Sequence, residues 1–543
     1  MDRRFAPLLA VALFPVVAAF AQPVINSQGA VNSASYRTPG LPGSGVAQGS
    51  IFTVFGTGLG PDSFAQAGSF PLPTTLGGTS VTVTIGNTPT PAIVLFASSY
   101  QVNAILPSTT PLGTGTVTVT YNNQTSAPAP IQVVASAFGI FAYNSGGSGQ
   151  AIATDTNYQL NTITHTFHPG DYVFLWGTGF GPIAASDAEP PPAGSLPGTI
   201  TMHIGNTTAP VDYHGRAPCC AGLDQIVFQV PAEVEGCHVP VGVETGAGVN
   251  NVDTIAVSSS GQTCSDSVLG QDLVDKLASG QTVDFAYIRL ESYLTEGFGQ
   301  DGDDYVMATF SQLDPGTAGL AQYGVSSGYC YTVDCSNGCA ANGYWSGSLS
   351  DSSPAQLDAG ALAIAYESSI PLTQYGGFYE AALSANGRFL WSDLPYAVTG
   401  TGGKDVGKFS VTDMTSELKV QFSNLQPRQT VPRSSDLQLQ WTGGDPTLQN
   451  GEVTIGAYSL NSAETQIQVV QCTAPLSAQQ FTIPAWVLSG LPPTGSVIVE
   501  GVTYPQGFIS IGQYNKPTTF SAPSLDRGSI TDIFYYQVEV SFQ

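Results

Sequence analysis

Gly49-Ser50-Ile51-Phe52-Thr53-Val54-Phe55-Gly56-Thr57-Gly58-Leu59-Gly60-Pro61 returns later in the chain as Gly170-Asp171-Tyr172-Val173-Phe174-Leu175-Trp176-Gly177-Thr178-Gly179-Phe180-Gly181-Pro182. Each copy is an apolar and aromatic run of strand length that ends in a glycine-rich turn closed by proline. Gly177 follows Gly56 by 121 residues, about the length of one β-sandwich domain. Glycine lets a chain leave a strand sharply because it accepts positive φ without a side-chain clash. A phosphate-cradling loop would need a helix aimed at the anion, and no helical period follows either copy. The repeated stretch therefore reads as a strand and its turn.

Further features recur in the same order around it. Ile204-Gly205-Asn206 answers Ile85-Gly86-Asn87, the run 224–231 answers 100–107, and 239–245 stands where 116–121 stood. Several motifs in one order at similar offsets indicate duplication. The runs 80–85 and 116–121 alternate polar and apolar residues, so each strand buries one face, as in an antiparallel sandwich.

The 543 residues leave room for three or four domains. Arg3 and Arg4, the apolar run 6–20 and the small-residue site Ala19-Phe20-Ala21 read as a signal peptide, so the mature chain is expected to begin at Gln22. No later segment has the eighteen or so unbroken apolar residues of a spanning helix. Only 10% of residues are charged, yet the net charge is −25, which repels a phosphate backbone and argues against nucleic acid as a partner. Alternating Val, Thr, Ile and Tyr between Gly, Pro and Asn turns marks an all-β protein.

In the second half, 272–278 has the apolar spacing of a short helix stopped at Gly280. Strand signals resume at 283–290, and a glycine-, serine- and tyrosine-rich stretch runs to Ser353. A further block from about Gln356 includes 437–441 and 453–455 and ends in the alternating run 536–542. One aromatic terminal strand without an array of ten-residue alternating segments does not make an outer-membrane barrel. The expected organisation is a signal peptide at 1–21, immunoglobulin-like sandwiches at 22–136 and 137–263, a β-rich region at 264–355 and a sandwich-like domain at 356–543.

Asn32-Ser33-Ala34-Ser35-Tyr36, the first glycine turn and Leu72-Pro73-Thr74-Thr75-Leu76-Gly77-Gly78 resemble the immunoglobulin-like repeats of the Solibacter-type uncharacterised secreted proteins. Ala217-Pro218-Cys219-Cys220-Ala221-Gly222, the run 224–231 and Gly236-Cys237-His238-Val239-Pro240-Val241 are similar to the second half of that pattern. The likeness covers about residues 28–265, with a looser one around 357–360, 402–407 and 441–446. It implies early-set (IPT/TIG-related) immunoglobulin modules, which mostly serve as spacers and binding platforms. It implies a secreted location and no catalytic mechanism.

Eight cysteines in an exported chain indicate disulfides. Cys219, Cys220, Cys237 and Cys264 form one set, and Cys330, Cys335, Cys339 and Cys472 the other. A bridge between adjacent Cys219 and Cys220 would force strained geometry, so each is expected to pair with Cys237 or Cys264, in an order the sequence leaves open. Cys330, Cys335 and Cys339 lack the short knuckle spacing of a zinc site. His165 and His168, three apart on a strand, would point to opposite faces rather than share a metal. Gly324-Val325-Ser326-Ser327-Gly328 spells a nucleophile elbow, but it sits in a Gly/Ser loop with no histidine after it. Glu296 and Asp301-Gly302-Asp303-Asp304 have the composition of a calcium loop or a glycosidase acid/base pair; a solvated acidic turn is the simpler expectation.

Tyr323, Tyr329, Tyr331, Tyr344 and Trp345 cluster in the loop-rich stretch, with Tyr344 and Trp345 beside the turn Asn342-Gly343. Aromatic rings on turns can stack on sugars or anchor a protein, and core packing is the competing role. The sequence thus describes a secreted or cell-surface binding, adhesion or scaffold protein without a cofactor, with an extracellular protein or polysaccharide as partner. A polysaccharide hydrolase using carboxylates of the C-terminal half, and a plain structural spacer, are the alternatives.

Overall fold

The computed structural model describes residues 22–265, 268–295, 303–316, 325–336, 355–375, 378–384, 389–448, 451–499 and 501–543. The chain is all-β: two tandem immunoglobulin-like sandwiches precede a β-rich C-terminal region. The signal peptide read at 1–21 lies outside the described residues.

In the first sandwich one sheet runs in the order Val24–Asn32, Ile51–Thr57, Gln101–Ile105, Ile93–Ala97 and Ala65–Gln66. The facing sheet runs Val46–Ala47, Ala129–Val134, Gly113–Tyr121, Thr79–Ile85 and Thr75–Leu76. The strand Thr79–Ile85 alternates buried and half-buried positions along its whole length. Its Val81 and Val83 meet Phe52, Val54, Val102 and Val117 between the sheets. The second sandwich repeats the plan. Tyr172–Thr178 pairs with Asp224–Gln229, setting Trp176 opposite Gln225 just as Phe55 stands opposite Gln101 in the first. Its core gathers Val173, Leu175, Ile226, Phe228, Val241 and Ile255.

The C-terminal region is organised by its last strand, Arg527–Phe542. It pairs in parallel with Val283–Thr295 over its first part and antiparallel with Gly507–Gly512 over its second. Through it, Asp303–Leu313 and Phe378–Ala382 on one side join Glu452–Leu460, Ile467–Pro475 and Cys330–Asp334 on the other. Strands from both sides of residue 355 thus share one 12-stranded sheet. A four-stranded sheet around Leu362–Ala365 and Pro395–Gly400 covers one half, closing a core on Ile530 and Phe534. A three-stranded sheet around Leu437–Thr442 covers the other half over Val538, Val540 and Phe542. These residues are two or four apart on one strand, so both covers lie on the same side of it.

The expected helix is Gly270–Ala278, and its Leu273, Val274 and Leu277 pack on Val283, Phe285 and Leu313. The three parts are joined by specific contacts. Arg37 Nη2 donates to Gly490 O (2.8 Å) and Gln466 Nε2 to Pro39 O (2.9 Å), linking the first sandwich to the C-terminal region. His203 of the second sandwich stacks on Trp486 at 4.6 Å.

The cysteines depart from the expected pairing. Cys219 bonds to Cys220, and Cys237 to Cys264. The reason is local: the turn 217–223 is closed by Cys220 N to Ala217 O (3.1 Å) and by Leu223 N to Cys220 O (3.3 Å), which fixes the two neighbours side by side. Cys237, at the start of Gly236–Thr245, lies instead against the segment that follows Gly248–Val257 and carries Cys264. Cys330 bonds to Cys472 across paired strands, and Cys335 is also disulfide-bonded; Cys339 lies outside the described residues.

Candidate functional site

Because successive residues of a strand face opposite ways, the core positions of the large sheet determine what its other face presents. Ile288 and Leu290 lie in one core, so Glu291 and Tyr293 turn outward. Val453, Ile455 and Ala457 lie in the second core, so Thr454, Gly456 and Tyr458 turn outward. Val538 and Val540 leave Gln537 and Glu539 on that same outer face. There the sheet forms a trough of about 580 Å³, within the size range of small-ligand sites.

Two groups of rings border it. Tyr293 stacks on Tyr535 with centroids 4.7 Å apart, and Tyr305 meets the edge of Tyr293 at 6.3 Å. Tyr458 and Phe508, directly paired across adjacent strands, lie 6.3 Å apart. Between them the floor is Gly456, paired in register with Ser510 on one side and Gln471 on the other. Gln537 Nε2 donates to Thr295 Oγ1 (2.6 Å), which orders that amide at the trough edge.

The charges beneath the trough are internally matched. Arg289 Nη1 lies 3.3 Å from Glu291 Oε1, and the Tyr293 hydroxyl donates to Glu291 Oε2 at 3.0 Å. Burial raises the Glu291 carboxyl, and the Arg289 guanidinium opposes that rise. Burial also pushes the Tyr293 and Tyr535 hydroxyls well above their ordinary range, which is already high enough to keep a tyrosine protonated at neutral pH. Glu539 is raised by burial and answered by Arg428, whose Nε lies 3.7 Å away. Arg428 is itself placed over the Tyr504 ring at 4.4 Å. The site offers ring faces and neutral hydrogen-bonding groups in a setting without excess positive charge.

The residues singled out from sequence fall elsewhere. Tyr344, Trp345 and Tyr323 lie outside the described residues. Tyr329 and Tyr331 pack with Val249 and Val252 of the second sandwich, so they serve the joint between domains. Glu296 and Asp301 are likewise outside the described residues. Asp303 and Asp304 do not form a solvated turn; they open the strand Asp303–Leu313 and face opposite ways. Asp303 is exposed beside the trough, whereas buried Asp304 accepts the backbone N–H groups of Phe389 (2.6 Å) and Leu390 (2.8 Å).

His165 closes a tight turn through an isolated bridge to Thr162, and the His168 carbonyl accepts the backbone N–H of Asp171, so the two do not share a strand; each has its own carboxylate, Asp155 at 3.6 Å and Asp171 at 3.2 Å. Ser326 is in a loop, where its Oγ accepts His238 N at 2.9 Å. Among the described residues, no three or more His, Cys, Asp or Glu side chains gather as a metal site.

The trough residues are dispersed over six strands, so no local run of the sequence marks them as one site. The available signal was alternation in the terminal run, where Gln537 and Glu539 mark a polar face beside the apolar one.

Residues 41–133 match the family model described as the IPT/TIG domain. This agrees with the early-set immunoglobulin character read for the first sandwich. No curated protein matches the sequence. Among solved structures, domains 5–6 of the S-layer protein SbsC are 14% identical, with 43% of this chain and 98% of that chain covered at a TM-score of 0.16. The Bacteroides ovatus mixed-linkage glucan utilization locus protein SGBP-B, in complex with a mixed-linkage heptasaccharide, is 9% identical, with 89% and 98% covered at 0.15. SbsC domains 1–6 are 10% identical, with 97% and 55% covered at 0.19. At such scores the chains do not superpose as wholes, and nothing about ligand or role follows. Among the described residues, no helix is long and apolar enough to cross a membrane.

Proposed function

We propose that this chain is an exported, surface-displayed binding protein of the Solibacter-type secreted group, without a catalytic role. Its two immunoglobulin-like sandwiches act as a scaffold for a ligand-bearing C-terminal region. The observation that carries the reading is the outer face of the large sheet: an open trough bordered by aromatic rings, on strands fixed by two packed cores. A site on rigid strands holds its geometry better than one on loops. The IPT/TIG match and the signal-peptide pattern support the platform and the location.

Against the hydrolase alternative, Asp303 and Asp304 face opposite ways on their strand and Asp304 is occupied by backbone N–H groups. Affinity electrophoresis of the mature chain through gels containing extracellular polysaccharides, each assayed for released reducing ends, tests the reading. Retardation without cleavage is expected. Cleavage would replace the binding reading with the hydrolase one.

A further inference from the structure

Resting on that binding reading, we infer that the trough seats a neutral polysaccharide chain lying across the strands. Its shape is the first reason. The lining runs from Gln471 through Gly456, Ser510, Gln537 and Tyr293 to Tyr305, six neighbouring strands of one sheet. At about 4.8 Å per strand this is an open path of about 24 Å, suited to a polymer rather than a compact metabolite.

The second reason is chemical. Ring faces at Tyr458 and Phe508 and at Tyr293 and Tyr305 suit the flat apolar faces of sugar rings. The groups beside them along the trough, Ser510, Gln471 and Gln537, are uncharged donors and acceptors suited to hydroxyls. Gly456 leaves the floor without a side chain where a ring would rest, and a Cβ built there meets only Ser510 Oγ, at 2.7 Å.

Charge excludes the acidic polymers. Arg289 and Arg428 are matched by Glu291 and Glu539, Asp303 sits at the rim, and the chain carries −25 overall. An extended peptide is also a poor fit, since β-augmentation needs the backbone of a sheet edge and this is a sheet face. The rings stack on one another instead of boxing a centre, which is unlike a cage for a quaternary ammonium group.

The test uses the mature full chain in gels containing either a neutral glucan or an acidic polysaccharide, with Gly456→Leu and Tyr458→Ala beside the unmodified protein. Gly456 has an ordinary backbone φ, so leucine fills the floor without backbone strain. Tyr100→Ala, at an exposed ring of the first sandwich, is the control.

The unmodified chain should be retarded by the neutral glucan alone. Both trough variants should weaken that binding about tenfold or more, with unchanged melting, and the control should not. If Gly456→Leu melts early, half-buried Tyr458→Ala decides the matter alone. Unaltered binding by folded trough variants would overturn the inference and leave the protein a binder at another site. Retardation by the acidic polymer alone would overturn the ligand class. Retardation by neither would overturn the inference and leave the scaffold part of the proposed function standing.

Discussion

The two copies of the repeated turn share a sequence pattern but are held in different ways. In the first copy the backbone nearly suffices: Gly56 N donates to Tyr100 O and Leu59 N to Ser99 O, both at 3.0 Å, and the neighbouring Tyr100 ring is 70% exposed. In the second copy the same turn is pressed against the first sandwich. There Asp224 Oδ2 accepts Gly179 N (2.7 Å) and Phe180 N (2.8 Å), while its other oxygen pairs with Arg216. Arg216 Nη2 donates in turn to Gly181 O (2.6 Å) and, across the joint, to Gly49 O (2.7 Å). Water can satisfy an exposed turn, but a turn buried at an interface needs partners from the protein. Duplication supplied the turn, and burial required the clamp.

The largest effect should come from breaking that clamp. Asp224→Ala leaves the Arg216 charge buried and two N–H groups without their acceptor, and should lower unfolding stability by about 3–5 kcal/mol. Tyr100→Ala, at the matching place in the first copy, should change it by less than about 0.5 kcal/mol. Urea unfolding monitored by tryptophan fluorescence measures both. Equal losses would mean that the clamp does not distinguish the copies. The Arg216→Met and Asp224→Leu double variant should remain less stable than the native chain, because the Gly179 and Phe180 N–H groups still lack an acceptor.

A buried carboxylate with a different neighbour sharpens the contrast. Asp532 accepts Ser416 N (3.1 Å) and Asn515 Nδ2 (2.7 Å), but its charged neighbour is Asp413 rather than an arginine. Burial first, and then the Asp413 charge, push Asp532 from its ordinary 3.8 up to about 8. The folded chain therefore keeps a proton that the unfolded chain releases above about pH 4. Stability should fall as pH rises from about 4 to about 8, by about 2 kcal/mol or more. Asp532→Asn should flatten that slope in melting curves taken across the range. An unchanged slope would remove Asp532 as its source.

The smallest effect is expected at the threonine of each turn. Thr178 Oγ1 donates to Gly222 O (2.7 Å) and accepts Ile51 N (2.9 Å), whereas Thr57 is exposed. Thr178→Val should cost about 1–2 kcal/mol and Thr57→Val nearly nothing, by the same unfolding measurement. A loss at Thr57 to match would show that the hydroxyl serves the turn itself rather than the joint.

Much of the sandwich architecture was legible because its signals are local. Period-two alternation at 80–85 and 116–121, the glycine turns and the helix near 272–278 depend on neighbours in the chain. The candidate site was not legible, since its rings come from strands whose pairing no local pattern encodes. Tyr293 and Tyr535 become neighbours only through a parallel pairing of Val283–Thr295 with Arg527–Phe542.

The amino-acid sequence by itself determined an all-β chain, a duplicated immunoglobulin-like unit and an acidic composition unsuited to nucleic acid, because alternation, turn chemistry and charge are properties of short segments and sums. Tertiary structure alone decided that Cys330 bonds to Cys472, that Asp304 serves the backbone while Asp303 faces the rim, and that the two covering sheets lie on one side of the large sheet while the trough forms on the other. Those outcomes depend on which distant segments meet and on which groups lose water when they do.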